Sequence, residues 1–343
     1  MSQTDIAVRR LSGTAWGTLL AAALVLSITA AVTIGPASIS AFDVWGSALK
    51  HLGLGGIRLP GLLDGIVWDL RLPRVLTAAC VGAGLAMSGV VMQAITRNAL
   101  ADPYLLGLSS GASLGAVAVL LLGVAILLPV AAFAGAMAAL VVTLALATAS
   151  GSLTPTKTVL AGLAISSLAS SVTSFVIFWS AQGDSYREVL GWLMGSLGGA
   201  TWQSVVISAG ALLVVGSPIV AAGRILDGFA FGDASAASLG INVPAVRWVM
   251  LAAAALLTGA MVAVSGSIGF VGLILPHMVR LLVGTGHRAL LPLSALAGAL
   301  FLVWADTLAR SVLGPVEVPV GIITALVGAP VFALLLWRKG AAA

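Results

Sequence analysis

Apolar runs about 20 residues long, the length an α-helix needs to cross the hydrocarbon core of a bilayer, recur along this chain from end to end. A backbone in hydrocarbon has no water to bond, so each run must close its own hydrogen bonds as a helix or join a closed barrel. A barrel would show apolar–polar alternation over about ten residues, whereas these runs are continuously apolar. Only 8% of the residues are charged, against roughly a quarter in soluble domains, which excludes a soluble globular fold. The 41 glycines are spread through the apolar runs and suit helices that pack closely in lipid. The expected class is all-α, a polytopic membrane protein.

Charge and Pro/Gly punctuation divide the chain into ten expected spans, near 14–34, 74–95, 105–127, 130–149, 158–181, 201–222, 245–264, 268–284, 289–311 and 318–337. The boundary between the third and fourth rests on Pro129. No repeat and no separate soluble domain is visible, so residues 1–343 read as one transmembrane domain. The first run exceeds the roughly 7–15 residues of a signal-peptide core and is read as a retained helix. Ten of the 16 basic residues fall at the end where the chain starts, including Arg9, Arg10, Arg97, Lys157, Arg224, Arg280, Arg338 and Lys339. Lys50, Arg58, Arg71, Arg74, Arg187 and Arg310 fall at the other, so the positive-inside bias predicts cytoplasmic termini. The net charge of +5 is scattered singly, which points to membrane topology and away from nucleic acid. Cys80 is the single cysteine, so an internal disulfide is excluded.

Two connections are long enough to carry structure. Residues 36–72 mix Trp45, Trp68, Asp64, Asp69 and Arg71, a composition suited to an interfacial layer. Residues 223–244, GRILDGFAFGDASAASLGINVP, have room for one or two short helices that another protein can contact.

Gly107–Gly111 reads GLSSG, the G-x-S-x-G pattern of a hydrolase nucleophile elbow, but that motif needs a strand before it and here it opens an apolar helix. Close packing by small residues is the competing reading of Ser109. His51, His277 and His287 form no ligand spacing with one another or with Cys80, so no metal site is expected. His277 and Arg280 share a helical face near a span end, either as an interfacial anchor or as a substrate contact, and Pro276 should kink or loosen that helix. Asp306 and Arg310 stand at i, i+4, which allows pairing within one helix or a functional charge inside the membrane. None of the three lysines, at 50, 157 and 339, stands in a G-x-x-x-x-G-K-[ST] sequence, so this chain has no phosphate-binding P-loop. A chain of intramembrane carboxylates, which an ion-coupled secondary transporter would use as a proton relay, is also missing.

Five stretches, in order, resemble the FecCD-type permease family of ABC importers for iron–siderophore complexes, haem and cobalamin. They are RLPRVLTAACVGAGLAMSGVVMQAITRNALADPYLLGLSSGAS at 71–113, FGDASAASLGINV at 231–243, SGSIGFVGLILPHMVR at 265–280, HRALLPLSALAGALFLVWADTLAR at 287–310 and VPVGIITALVGAPVFALLL at 318–336. The resemblance implies a type II importer permease fold with ten helices in the cell membrane. It implies a second permease copy, two cytoplasmic ATPases that hold ATP and Mg, and an extracytoplasmic binding protein. This chain would itself be no enzyme and hold no cofactor. Iron–siderophore is the expected cargo, with haem or cobalamin as the alternative. By the same resemblance Arg71, Arg74 and Arg310 would meet carboxylates of the binding protein. Gly232, Asp233, Ala236, Leu239 and Gly240 would form the coupling loop that seats in the ATPase. Asn98, Leu100 and Thr156 would belong to a cytoplasmic gate, in which Ala99 replaces the proline that the family usually carries.

Overall fold

The computed structural model describes residues 12–55, 59–149, 151, 154–180, 183–313 and 316–340. Arg9, Arg10 and Arg58, and the side chains of Arg338 and Lys339, lie outside the described residues. Among those described there is no strand. The helices are α1 (Gly13–Thr33), α2 (Ala41–His51), α3 (Gly61–Gly65), α4 (Leu72–Thr96), α5 (Leu108–Leu122), α6 (Leu128–Thr148), α7 (Pro155–Ser180) and α8 (Asp184–Leu193). They continue as α9 (Trp202–Ala211), α10 (Ser217–Ala221), α11 (Gly223–Phe229), α12 (Asp233–Ser238), α13 (Val243–Ser265), α14 (Val271–Val283), α15 (His287–Ser311) and α16 (Val320–Gly340).

Among the described residues, seven helical stretches are long and apolar enough to cross a membrane, and α5, α14 and α16 add three shorter apolar ones. These ten coincide in order and position with the ten expected spans. The end of α15 meets the end of α1 through Arg310, and the starts of the two helices lie side by side at Gly13 and Ala289, which defines a near end, where α1 begins, and a far end.

The second span is longer than its apolar sequence alone indicated. Residues Gly61–Thr96 form one continuous helical stretch of 36 residues, about 54 Å at 1.5 Å per residue, so its first part projects past the hydrocarbon core. Pro73 stands in the first turn of α4, yet the helix runs through it. It does so by opening into π-helical turns over Ile66–Arg71, where the Leu72 amide bonds the Val67 carbonyl five residues back. Pro218 is accommodated alike after the π-segment Leu212–Gly216 between α9 and α10. A proline lacks the amide and clashes with the carbonyl four residues earlier, and the wider turn relieves both problems.

Helix α4 is the hub: 21 of its 25 residues are buried, and α13, α14 and α15 pack around it. Two glycine pairs set how near its neighbours come. A methyl added to Gly82 would strike the Gly298 carbonyl of α15, and one added to Gly89 would strike the Gly272 carbonyl of α14. Backbone contact of this kind is what small residues allow between helices in lipid.

Helix α14 runs on through Pro276, and a side chain from α4 supplies what the proline lacks. Without an amide at Pro276 the Gly272 carbonyl has no partner four residues on. The Gln93 amide, 3% exposed, donates to Gly272 O at 3.3 Å and to Leu273 O at 3.1 Å. Its Oε1 accepts from Arg280 Nη2 at 3.0 Å. Arg280, expected at a span exit beside His277, is thus tied into the core by α4.

Both short helices α5 and α14 follow non-α-helical stretches, and these satisfy each other. Tyr104 Oη donates to the Ile268 carbonyl at 3.0 Å and accepts the Ile268 amide at 3.1 Å, while Ser109 and Ser267 share a 2.7 Å hydrogen bond. Irregular backbone inside a membrane protein requires such partners. Phe270, at φ +70°, holds the strained left-handed position just before α14, with its Cβ against Gly328 of α16.

Gly82→Leu should destabilise the protein by about 1–3 kcal/mol through overpacking at Gly298. Gly210→Leu in α9, where an added Cβ meets nothing within 4 Å, should leave stability nearly unchanged. Thermal unfolding of the two variants in detergent measures the difference.

Candidate functional site

The far end gathers the three arginines into one cluster around a cavity of about 380 Å³. Arg71 ends the π-helical segment and is buried; its Nη1 donates to Val32 O at 2.9 Å and Thr33 O at 3.3 Å, and Nη2 to Ala37 O at 3.3 Å. Arg310, in the last turn of α15, donates to the carbonyls of Ala31 and Ile34. The carbonyls that end a helix have no partner within it and carry its negative dipole, so two guanidinium groups satisfy and stabilise the end of α1.

Arg74 spans the cluster. Its Nε lies 2.9 Å from Asp306 Oδ2 and its Nη2 3.0 Å from Oδ1, while Nη1 reaches both oxygens of Glu317 at 3.0 and 2.8 Å. The Asp306 side chain is 1% exposed and accepts a bidentate grip, the strongest geometry between these groups. The Asp306–Arg310 pair expected from i, i+4 spacing is present but loose, at 3.9 Å. The tight partner of Asp306 lies 232 residues away in sequence, and no local spacing signals it. Glu317, absent from the expected site, completes the cluster for the same reason.

Beside the cluster, Asp64 ties down α2: Ser47 Oγ lies at 2.6 Å, Lys50 Nζ at 2.5 Å and His51 Nε2 at 3.2 Å. His51 stacks on Trp68 at 4.2 Å, and Trp68 packs on Trp202 at 4.5 Å. Among the described residues of the connection 36–72, these contacts hold α2, α3 and the π-helical segment to one another.

At the near end, α11 and α12 are the two short helices for which the 223–244 connection had room. Asp227 Oδ1 accepts the His287 amide at 2.8 Å and meets His287 Nδ1 at 2.7 Å, holding α11 to the start of α15. Asp233 receives Arg247 Nη2 at 2.9 Å on each oxygen, holding α12 to α13. Gly232 and Gly240, at φ +98° and +81°, make the turns on either side of α12. Ala236 is fully buried on the inner face of α12, whereas Leu239 is 70% and Phe231 81% exposed. Among the expected coupling residues Leu239 therefore faces outward and Ala236 packs inward; Phe231, not singled out from sequence, joins Leu239 on the surface.

Asn98 Oδ1 accepts the Leu100 amide at 2.9 Å, so the side chain itself makes the turn that a proline at position 99 would have stiffened. Ala99 and Leu100 line a small apolar groove with His277, Ile274 and Phe332 of α14 and α16. Thr156 is exposed in the first turn of α7. Asp102 Oδ1 accepts the Tyr104 amide at 2.8 Å, and burial pushes its carboxyl up to about 6. Ser109, bonded to Ser267 at the start of α5, has no strand before it and lacks the setting of a nucleophile elbow. Among the described residues no group of three or more His, Cys, Asp and Glu is placed to hold a metal.

Asp306→Leu should cost on the order of 3–5 kcal/mol, because it leaves Arg74 and Arg310 without their buried counter-charge. Adding Arg74→Leu should recover much of that loss. Chemical unfolding of the single and double variants in detergent checks both statements.

The chain matches the FecCD transport family over residues 22–338. It is 40% identical to the cobalamin import system permease protein BtuC of Halobacterium salinarum, with 94% of this chain and 95% of that protein covered. It is 42% identical to the Fe(3+) dicitrate transport system permease protein FecD of Escherichia coli, with 85% and 95% covered. Among solved structures it is similar to an inward-facing metal-chelate type ABC transporter, with a TM-score of 0.84, 31% identity, and 95% and 99% of the two chains covered. A fold-level likeness extends to PsaBC from Streptococcus pneumoniae in complex with Fab, at a TM-score of 0.56 and 17% identity over 77% of this chain and 90% of that one.

Proposed function

Because this chain belongs to the FecCD transport family, whose members are ABC permeases and leave ATP hydrolysis to a partner, we propose that it carries a metal chelate into the cytoplasm as the membrane-spanning subunit of a binding-protein-dependent importer. The observation that carries this reading is the near-end pair α11 and α12. Two acidic side chains tether it to α13 and α15, and it presents Phe231 and Leu239 outward in a chain that has no P-loop of its own. Nucleotide binding elsewhere can act on the spans only through a contact that moves them. A short helix fastened to α13 through Asp233 and Arg247 is such a contact.

In this reading the near end is cytoplasmic, in keeping with the excess of basic residues there. The ATPase, with ATP and Mg, seats on Phe231 and Leu239. Gly232, Asp233, Ala236 and Gly240 hold the shape of that surface, and Asn98, Leu100 and Thr156 belong to the gate beside it. The far end is extracytoplasmic, and Arg71, Arg74 and Arg310 receive carboxylates of the binding protein. A second copy of the chain completes the pathway. An open apolar groove of about 580 Å³, lined by Phe270, Met194, Gly321, Ala325 and Ala329, suits either that copy or a bulky ligand.

The relatives' names support two cargo classes equally, cobalamin and ferric chelates. The test is the ATPase rate of the assembled complex in lipid, with its binding protein, across ferric citrate, a ferric hydroxamate siderophore, haem and cobalamin. Stimulation by one of them alone is the expected result and names the cargo; equal rates with all four overturn the metal-chelate reading. Uptake that survives inactivation of the ATPase would instead support an ion-coupled secondary transporter. Leu239→Asp should lower ligand-driven uptake at least about ten-fold while leaving the thermal stability of the permease unchanged, since Leu239 is exposed; proteoliposome uptake and thermal unfolding measure the two effects.

A further inference from the structure

Arg74 holds two carboxylates of different character. Asp306 grips Nε and Nη2 and is fixed in the interior of α15, with its side chain 1% exposed. Glu317 grips Nη1 alone, with both oxygens, and its side chain is 51% exposed. It belongs to the connection that leads into α16, where Val318 N bonds Ala309 O at 3.0 Å. Gly198 passes so close that an added Cβ would lie 3.2 Å from Glu317 Oε2, so the carboxylate occupies a shaped seat between two connections.

Among the described residues that line the cavity there is no other carboxylate. Arg71 and Arg310 direct their terminal nitrogens at the end of α1, and Arg310 Nε is buried without a hydrogen-bond partner. Three guanidinium groups thus face two carboxylates, and the positive excess grows when Glu317 leaves. A half-exposed ion pair contributes little net stability, so Glu317 is replaceable, whereas removing Asp306 would strand buried charge.

We propose that Glu317 is an intrachain stand-in for a partner's carboxylate. An acidic side chain docking at the far end takes its seat on Arg74 Nη1, and its departure frees the connection at the start of α16. This rests on the docking role proposed above for Arg71, Arg74 and Arg310, and it adds a consequence to docking. Helix α16 lines the apolar groove together with Phe270 and Met194, so an exchange of carboxylates at the surface loosens one wall of that groove.

The test uses the full chain in lipid nanodiscs and fluorescein-labelled hexaglutamate as the carboxylate probe, followed by anisotropy. Glu317→Gln should bind the probe at least about ten-fold more tightly than the unsubstituted protein at low salt, with the gap closing near about 0.5 M salt. A spin label at position 316, placed in a Cys80→Ser background, should become more mobile in Glu317→Gln. Equal affinities that Arg310→Gln abolishes would overturn the stand-in role and leave docking at the arginines in place. No binding to either form would overturn both. Tighter binding with an unchanged spin-label spectrum would overturn the release of α16.

Discussion

The approach of α4 to α15 at Gly82 and Gly298, and to α14 at Gly89 and Gly272, is the constraint on which the rest of the molecule depends. In lipid there is no hydrophobic force between helices, so affinity comes from close packing and from polar groups brought within reach. The close packing on α4 makes the polar contacts possible. Gln93 reaches the Gly272 carbonyl because α14 lies against α4, and Arg74 reaches Asp306 because α15 does.

Around that hub, three departures from regular helix are matched by donors or acceptors from elsewhere in the chain. The carbonyl that Pro276 leaves without its helical donor is taken by Gln93, the unwound segment before α14 by Tyr104, and the end of α1 by Arg71 and Arg310. The prolines at 73 and 218 are accommodated by π-turns. Irregular backbone is therefore kept where neighbouring side chains replace water.

The two ends differ in chemistry. The far end buries charge: its arginines hold the end of α1 and one carboxylate fixed in α15, with a second, half-exposed carboxylate on a connection. The near end exposes apolar surface on a short helix pair held by two acidic tethers. A charged surface favours directional, salt-sensitive docking, whereas an exposed apolar pair favours a partner that covers it permanently. That division suits the two docking partners proposed above, one met transiently and the other stably.

Much of this was legible in the sequence, because a 20-residue apolar run in a charge-poor chain has one structural outcome in lipid and needs no tertiary information to declare it. The ten spans and the all-α class follow from that local rule, and the length of the 223–244 connection left room for its short helices. Motif resemblance likewise brought Arg71, Arg74 and Arg310 together before any distance was known. What the sequence could not carry was the identity of partners across the bundle. The i, i+4 rule pointed Asp306 at Arg310, but the guanidinium it holds tightly is Arg74, and Glu317 joined the cluster unannounced. Ala236 and Leu239, equal candidates on one loop, parted to opposite faces of it. Hydrophobic length is a property of a segment, whereas the pairing of buried charges depends on which helices touch, and only the packing of the whole bundle around α4 decides that.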